Sequence, residues 1–397
     1  MTDPGMTDPR PNDPGTNGHS AAIVSAVEIP YTRHPSADAT TESLLTTAIQ
    51  HAVAQAGLDL SDIDGLGVSS FTLKPDHAVD LALRSGLSLR WIMEDTNGGA
   101  SGVNMLQHAV RAVEAGDARA IVLVAGDRMT AADFEAVAGE YNVITRDYLT
   151  PMGLGGPNAM FAMLTRRHMR RHGLDEKVYG AVAVAQRRWA ALNPGAVYRS
   201  ELTMDDYLSA PVIASPLRRF DCVPPVSGAN AVVVTRRDLV PAGSPAVRVS
   251  AIGGSVNWDR HEGDGLRTGL ADIAPELWNR AGLDPSDADV ISVYDDYPVM
   301  VLIQLADLGF APSGNVHELA DRLLHEQWAV NTSGGQLSAG QAGSAAGMHG
   351  LVEAVVQLLG RAGDRQIPDA RTAAVSGYGM VAYRYGACAN LAVLERI

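Results

Sequence analysis

Cysteine is almost absent from this sequence. Only Cys222 and Cys388 occur among 397 residues, with no CxxC pair and no histidine–cysteine pair at the spacing of metal ligands. We therefore predict neither a disulfide framework nor a metal site. Aromatic residues are also scarce, at 5% of the chain. The core must therefore be built mainly from aliphatic side chains and alanine.

Basic residues are outnumbered by acidic ones, and long apolar runs are missing. A formal charge of −14 argues against nucleic acid and anionic membranes as partners. No apolar run reaches the roughly 18 residues that a membrane span needs, and the N-terminus has no basic and apolar signal region. We expect a soluble, cytoplasmic protein. At 46% hydrophobic residues, the chain can bury a large core and is long enough for two or three domains.

The chain begins with a biased segment and then repeats itself. Residues 1–20 are rich in proline, glycine and aspartate and twice spell MTDP, which predicts a disordered tail. AGLDLSDIDGLGVSS begins at Ala56 and recurs as AGLDPSDADVISVYD at Ala281. The same offset places AAIVSAV at Ala21 on AVRVSAI at Ala246. Two matches at one offset indicate an internal duplication, with an N-terminal half over 21–244 and a C-terminal half over 245–397.

Each half alternates predicted strands with predicted helices, which is typical of an α/β fold with parallel sheets covered by helices. A glycine-rich loop begins a helix in both halves, NGGASG at 97–102 and NTSGGQLSAGQAGSAAGMHG at 331–350. Such loops offer unpaired N–H groups at a helix start and allow a close approach. Two of them facing one another would form a single cleft. The alternative is a tight packing corner without a ligand.

The first half contains an insertion of loops and helices at residues 128–217. An insertion of this kind is expected to shape a substrate pocket. It includes the basic run RRHMRRH at 166–172. A solvated helix face is the first interpretation of that run, and contact with ligand phosphates is the alternative.

Several features, taken in order, resemble the thiolase superfamily. They are the duplication, the insertion ending in SPLRRFDCVPPVSGANAVVV (215–234), the run YDDYPVMVLIQLADLGF (294–310) and the loop NTSGGQLSAGQAGSAAG (331–347). Within it, the chain is most similar to the lipid-transfer-protein branch associated with sterol carrier protein thiolases. The resemblance covers everything after the tail. It implies an internally duplicated fold of two βαβ-type halves layered α-β-α-β-α, a CoA thioester as substrate and no permanently bound cofactor.

The reactive side chains of that family are missing here. The nucleophilic cysteine of its CASG-like motif falls on Gly99, and the histidines of its HDCF-like and GHP-like motifs fall on Tyr294 and Gln341. Its C-terminal cysteine has no counterpart in VSGYGM (375–380), and Cys388 lies too far downstream for that role. Without a thiolate there is no acyl-enzyme, so thiolase chemistry is not expected.

Thiolase-like aldolases of steroid side-chain breakdown are members of this branch that lost the cysteine and use tyrosines for proton transfer. The resemblance implies retro-aldol cleavage of a bulky β-hydroxyacyl-CoA, in which backbone N–H groups near Gly99 and at 377–379 polarise the thioester. Tyr294 is the first candidate for the acid or base. The full set of catalytic candidates is Tyr294, Tyr378, Gly99 and Gln341, and the substrate-binding candidates are Asp295, Tyr297, Gly334, Gly335, Gly377 and Gly379.

The role of Tyr294 depends on its neighbours. An unperturbed phenol titrates near pH 10, so it needs a charged or hydrogen-bonded neighbour to act as a base. Asp295 or Asp296 would relay the proton, and a purely structural Tyr294 is the alternative. We expect Gly99 to leave room for a bulky β-substituent of the substrate.

Two other functions stay open at this stage. One is an acyltransferase with an unrecognised nucleophile, for which Ser101 is the obvious choice. Histidines such as His349 show no dyad spacing and are expected at the surface or at caps. The other is a non-catalytic acyl-CoA-binding homologue.

The resemblance also implies a homodimer, for which the strand containing Ile121 and Val124 is a compatible interface. The resemblance to the lyase group further implies a small separate partner protein with a zinc ribbon and an OB-fold. Since this chain has no zinc-ligand cysteines, that module would have to come in trans.

Overall fold

The computed structural model describes residues 20–75, 77–154, 156–260, 262–326, 328–382 and 385–397. The predicted tail lies, except for Ser20, outside these residues. The strands are β1 (Ala21–Thr32), β2 (Gly65–Ser69), β3 (Trp91–Glu94), β4 (Ala120–Asp127), β5 (Val212–Ala214), β6 (Leu217–Arg218), β7 (Ser227–Arg236), β8 (Val247–Val256), β9 (Val290–Ser292), β10 (Thr372–Ala382) and β11 (Tyr385–Arg396).

The helices lie between these strands, singly or in runs of four. They are α1 (Thr41–Gln55), α2 (His77–Arg84), α3 (Ser101–Ala115), α4 (Ala131–Gly139), α5 (Pro157–His172), α6 (Glu176–Ala191), α7 (Met204–Ser209), α8 (Leu270–Ala281), α9 (Pro298–Asp307), α10 (Val316–His325), α11 (Gly335–Ala339) and α12 (Ala346–Leu358). Among the described residues, no helix combines the length and the apolar character that crossing a membrane requires.

The two halves have the same strand order. A 9-stranded sheet runs β3-β2-β4-β7-β1-β8-β11-β10-β9, so that β2-β4-β7-β1 in one half corresponds to β9-β10-β11-β8 in the other. The halves meet where Ile23 of β1 pairs with Val247 of β8. The repeat found in the sequence also superimposes two short 3₁₀ turns, Leu60–Asp62 and Pro285–Asp287. The predicted internally duplicated α/β fold is confirmed, and the predicted boundary at 244–245 falls between β7 and β8 and stays a prediction.

The expectation of parallel sheets is right only in part. Parallel pairs join β2 to β3, β2 to β4 and β9 to β10. The pairs β4–β7, β1–β7, β10–β11 and β8–β11 are antiparallel. The reason is clearest in the second half, where β11 is the next element after β10 and no helix intervenes to return the chain for parallel pairing.

Alternating side chains of the strands divide the core into layers. Val122 of β4 packs with Leu45 of α1 on one face, whereas Leu123 lies in a central cluster with Leu106 of α3 and Leu351 of α12. In the other half, β10 contributes to the same central cluster, and its opposite face packs on α8 and α9. Because successive strand residues point to opposite faces, α3 and α12 form the middle of an α-β-α-β-α arrangement.

The start of α3 and the start of α12 meet through glycines. A Cβ at Gly102 would lie well inside 3.0 Å of the Gly347 carbonyl oxygen, and a Cβ at Gly347 would lie 2.5 Å from the Gly98 carbonyl oxygen. Only residues without a side chain allow this approach. The two glycine loops therefore face one another as predicted, but in direct contact rather than across an open cleft.

The strand proposed as a dimer interface is not available for that role. Ile121 and Val124 belong to β4, which lies between β2 and β7, and neither side chain is exposed to solvent. An interior strand has both edges paired within its own chain. The compatibility inferred from sequence was therefore wrong, because apolar character marked burial in the core.

Candidate active site

Gly99 lies in a 3₁₀ turn, Gly98–Ala100, immediately before α3. A Cβ built on Gly99 would lie well inside 3.0 Å of the Tyr378 carbonyl oxygen and of Cε2 and Cζ of Tyr294. The Tyr294 ring therefore occupies the space that a side chain at position 99 would need. In this structure a phenol ring fills that space, where the sequence led us to expect room for a substrate group.

Tyr294 and Gln341, two of the predicted catalytic residues, are brought together. Nε2 of Gln341 donates to the Tyr294 hydroxyl at 3.3 Å, and Nε2 of Gln304 donates to the Tyr294 carbonyl at 2.6 Å. Burial raises the pKa of Tyr294 well above 10, and the nearby Asp296 and Tyr141 add to the rise, while the Gln341 hydrogen bond opposes it. The phenol is therefore neutral at physiological pH and can donate or relay a proton.

Gln341 is held by the backbone of the segment that immediately precedes β7. Its N–H donates to the Pro224 carbonyl at 2.9 Å, and its own carbonyl accepts from Val226 N–H at 3.0 Å. These bonds fix both sides of the Gln341 peptide. The amide side chain therefore projects toward Tyr294 from a rigid segment.

Asp295 and Asp296 have different surroundings. Asp295 accepts the backbone N–H groups of Gln336 at 3.0 Å and Leu337 at 3.3 Å at the start of α11. Burial raises its pKa to about 6 although these hydrogen bonds act in the opposite direction. Oδ1 of Asp296 is buried with no hydrogen-bond partner among the described residues, and burial together with the Asp295 charge raises its pKa well above 3.8. Asp295 is engaged within the chain, whereas Asp296 retains an oxygen for a proton.

Two of the predicted binding glycines contact protein rather than open space. A Cβ at Gly335 would collide with Oδ2 of Asp295, and one at Gly334 would collide with Ala190 of α6. Both residues have positive φ, 94° and 60° for Gly334 and Gly335, which side chains rarely adopt. Their geometry lets the loop wrap closely around Asp295 and α6.

Gly377 and Gly379 of β10 lie directly against the Gly98–Ala100 turn. A Cβ at Gly377 would be 2.9 Å from the Ala100 Cα, and one at Gly379 would be 2.7 Å from the Gly99 nitrogen. The two backbone segments that were expected to act on one carbonyl are therefore adjacent. Their use by a ligand stays a prediction.

The hydroxyls of the other two predicted tyrosines are bonded within the protein. The Tyr378 hydroxyl accepts the Gly386 N–H inside the β10–β11 pair, and the side chain is fully buried. The Tyr297 hydroxyl donates to Oδ1 of Asn158 at 2.6 Å, and its ring stacks on Phe161 at 4.1 Å. These contacts favour packing roles for both.

Tyr141 is a site residue that sequence reasoning missed. It lies just after α4 in the insertion, and its hydroxyl is 2.5 Å from the position of a Cβ on Gly98. Burial raises the pKa of Tyr141 to about 12, with additional contributions from Asp296 and Cys388 and an opposing backbone hydrogen bond from Met380. No motif marks this residue, because the insertion has no repeat partner in the second half.

Neither cysteine replaces the missing nucleophile. Cys388 lies opposite Gly379 in β11, and its thiol donates to Oδ1 of Asn97 at 3.8 Å. Burial raises the pKa of both thiols, that of Cys222 to about 12. In the part of the chain that the structure describes, no hydrogen bond or ion pair joins either sulfur to a histidine. Ser101 is equally unsupported, since its Oγ is buried without a partner there.

His349 is buried, contrary to the expectation of a surface or capping role. Its Nδ1 lies 3.0 Å from Oε2 of Glu28 and 3.2 Å from the Tyr31 hydroxyl, and its Nε2 lies 2.7 Å from Oγ of Ser333. Burial acts to lower the pKa of His349, but the hydrogen bond and charge of Glu28, with help from Asp295, raise it overall. The partners come from distant parts of the chain, so no spacing could have indicated them.

The Ser333–His349–Glu28 set has the connectivity of a nucleophilic triad but no room for a substrate. The adjoining cavity is 10 Å³, about the volume that one water occupies. Three side-chain atoms that line it, Ser292 Oγ, Asn331 Nδ2 and Gln336 Oε1, have no hydrogen-bond partner among the described residues. The cavity suits water and excludes an acyl chain.

The basic run of the insertion forms an exposed face of α5. Arg166, Arg167, Arg170 and Arg171 are all exposed. Arg166 donates to Oγ of Ser215 at 3.0 Å, and Arg167 donates to the Asp264 carbonyl at 2.6 Å. This arrangement favours the interpretation of a solvated helix face.

Comparison with known proteins gives consistent relatives. The family model described as Thiolase C-terminal domain-like matches residues 260–389. The 17-hydroxy-3-oxo-4-pregnene-20-carboxyl-CoA lyase of Mycobacterium tuberculosis is 34% identical over 341 residues, 80% of this chain and 86% of the lyase. A steroid side-chain-cleaving aldolase of Thermomonospora curvata is 32% identical over 342 residues, 79% of this chain and 84% of that protein. The solved structure of the Ltp2-ChsH2(DUF35) aldolase has a TM-score of 0.80 and 26% identity, covering 95% of this chain and 98% of that one.

Proposed function

This chain belongs to the thiolase superfamily, in the branch of the steroid side-chain-cleaving aldolases, and we propose that it cleaves a bulky β-hydroxyacyl-CoA. The reaction is a retro-aldol, in which the bond between the α and β carbons breaks. In the substrate named for the mycobacterial relative, the 17-hydroxyl lies on the carbon β to the CoA ester carried by carbon 20. We infer the same class here, a steroid with a β-hydroxyacyl-CoA side chain.

One observation carries the proposal: the Tyr294 ring lies where a thiolase nucleophile would project. The ring occupies the space over Gly99 and bonds to Gln341. A phenol at that position can exchange a proton with a substrate. It is a poor nucleophile for an acyl-enzyme, because its neutral form attacks a thioester only weakly. The site therefore suits proton transfer better than acyl transfer.

Cleavage begins with removal of the proton from the β-hydroxyl. The Tyr294 oxygen accepts that proton while its own proton passes toward the Asp296 carboxylate, whose raised pKa makes it a stronger base than an exposed aspartate. The Gln341 amide donates to the phenol oxygen, so the phenolic hydrogen stays available for transfer. As the bond breaks, the β carbon becomes a carbonyl carbon. The electron pair of the broken Cα–Cβ bond moves onto the thioester, which becomes an enolate.

The enolate needs hydrogen-bond donors that are already in place. The turn Gly98–Ala100 precedes α3, whose N-terminus carries a partial positive charge. Gly379 brings β10 against the Gly99 nitrogen. Backbone donors in such a position stabilise a developing oxyanion without any side chain. We assign the thioester oxygen to this part of the site.

Two protein partners belong to the proposal. The name of the structural relative pairs Ltp2 with ChsH2(DUF35), and we propose that this chain also works with a DUF35 protein of the zinc-ribbon and OB-fold kind. We further propose a homodimer through β3, the terminal strand of the sheet, where Ile92 is exposed beside Val79 and Leu83 of α2. Exposed apolar strand edges readily pair with another chain.

The central test is Tyr294→Phe, assayed with 17-hydroxy-3-oxo-4-pregnene-20-carboxyl-CoA and a co-expressed DUF35 partner. Loss of general acid–base catalysis should lower the cleavage rate by about 10²–10⁴-fold, while binding of the CoA ester stays nearly unchanged. Tyr148→Phe is the matched control, because Tyr148 is 59% exposed in the insertion. Unchanged turnover in Tyr294→Phe would remove Tyr294 from the mechanism, and no cleavage by the unmodified complex would reject the proposed reaction.

A further inference from the structure

The proposed reaction needs a second proton-transfer group, and the structure contains a candidate at the neighbouring residue of the glycine turn. Tyr294 approaches Gly99, whereas Tyr141 approaches the preceding residue, with its hydroxyl 2.5 Å from a Cβ position on Gly98. Gly98 has φ of +59°. The two phenols come from different parts of the chain and meet at consecutive residues of the turn before α3.

Tyr141 is held firmly in that position. Its ring meets Phe71 edge-on, with centroids 6.1 Å apart. The next residue, Asn142, donates through Nδ2 to the Val381 carbonyl at 2.7 Å and accepts the Thr145 N–H at 2.9 Å. The insertion is thus tied to β10 at the residue next to the phenol.

A buried carboxyl acts on both phenols. Asp296 acts electrostatically on both Tyr141 and Tyr294, so the carboxyl lies within electrostatic reach of the two phenols. A neutral hydroxyl beside the turn is suited to protonate a ligand.

We propose that Tyr141 is the second catalytic phenol, which protonates the α carbon of the enolate left by cleavage. This inference rests on the proposed retro-aldol function. The Tyr141 O–H bond breaks and a new C–H bond forms at the α carbon, which leaves a phenolate. The proton taken up by Asp296 from the β-hydroxyl then passes to that phenolate. The cycle closes with no net gain or loss of protons.

A partial reaction of the product distinguishes the role of Tyr141 from that of Tyr294. Retro-aldol cleavage of the 20-carboxyl-CoA ester named above releases propionyl-CoA, so the complex should exchange the α hydrogens of propionyl-CoA in D₂O. This exchange requires Tyr141, which protonates the α carbon, but not Tyr294, which deprotonates the β-hydroxyl. We expect Tyr141→Phe to lose exchange and cleavage by about 10²–10⁴-fold, with the KM for the CoA ester little changed. Tyr294→Phe should lose cleavage and keep exchange.

A structural control addresses the attachment of the insertion to β10. Asn142→Ala removes the bonds to Val381 and Thr145 but keeps the phenol, and it should retain most of the exchange activity. If Asn142→Ala loses as much as Tyr141→Phe, the effect belongs to the attachment and the proposal is overturned. Exchange at the unmodified rate in Tyr141→Phe also overturns it while leaving the retro-aldol function intact. Absence of both reactions in the unmodified complex rejects the proposed function instead.

Discussion

Adding a single methyl group at Gly99 tests whether a phenol has taken the place of the thiolase side chain. In Gly99→Ala the new Cβ would lie well inside 3.0 Å of the Tyr378 carbonyl and of the Tyr294 ring. The carbonyl belongs to β10 and is held by the sheet, whereas the ring can rotate. Restoring ordinary contact with the ring, at 3.4 Å or more, requires the ring to withdraw by roughly 1 Å, and relief of the carbonyl contact requires the turn and β10 to separate as well.

The expected magnitudes follow from that displacement. A misplacement of about 1 Å in a catalytic group can cost about 10²-fold in rate, so cleavage should fall by that factor. Overpacking of a dense interior typically costs about 1–3 kcal/mol, so the free energy of unfolding should fall within that range. Cleavage is measured with the CoA ester, and stability by urea unfolding.

The matched control is Gly139→Ala at the end of α4. No atom lies within 4 Å of a Cβ at Gly139, and its φ is outside the left-handed region. We therefore expect an unchanged cleavage rate and unchanged or slightly higher stability, by about 0.4–1 kcal/mol. If Gly99→Ala cleaves substrate as fast as Gly139→Ala, the Tyr294 ring does not act from the position seen here.

Two further substitutions probe features away from the turn. Ile92→Lys should convert the dimer to a monomer in light scattering, because a charge on an edge strand opposes pairing; a dimer that survives this change uses another interface. His349→Gln tests the buried pair with Glu28. Since the native pKa of His349 is raised above its usual 6.5, the charged form stabilises the fold most below pH 6.5, and this contribution is lost as pH rises through the native pKa. Urea unfolding should therefore show a larger loss of stability in His349→Gln at pH 6 than at pH 9, and an equal loss at both would contradict a charged His349.

The duplication could be predicted because the same residue pattern occurs twice in the sequence. The segments from Ala56 and from Ala281 keep the same residue types at one offset, and the structure places the equivalent strands β2 and β9 there. Strand direction could not be predicted in the same way. Hydrophobic periodicity reports which face of a strand is buried but not the direction of its neighbour, so the antiparallel pairs were missed.

The residues of the candidate site likewise include some that the sequence could predict and some that it could not. Tyr294 and Gln341 could be named because each falls on a motif with a fixed place in the family, and the structure joins them by a hydrogen bond. Tyr141 and His349 could not. Tyr141 lies in an insertion without a repeat partner, and the contact of His349 with Glu28 joins α12 to β1. Contacts between residues so far apart depend on the folded topology, which no local pattern reveals.

The absence of a side chain at position 99 and the presence of a phenol beside it are one steric fact. With the backbone of the Gly98–Ala100 turn fixed by β10, a Cβ at 99 and the Tyr294 ring claim the same volume. A chain that kept a cysteine here would have to turn residue 294 elsewhere, and its proton-transfer group would lie outside the place where the substrate meets the backbone donors. A thiol and this phenol therefore cannot share the site in this arrangement. It follows that putting cysteine back at position 99 should displace the phenol without restoring thiolase chemistry, since no histidine is bonded to activate the thiol in the described part of the site.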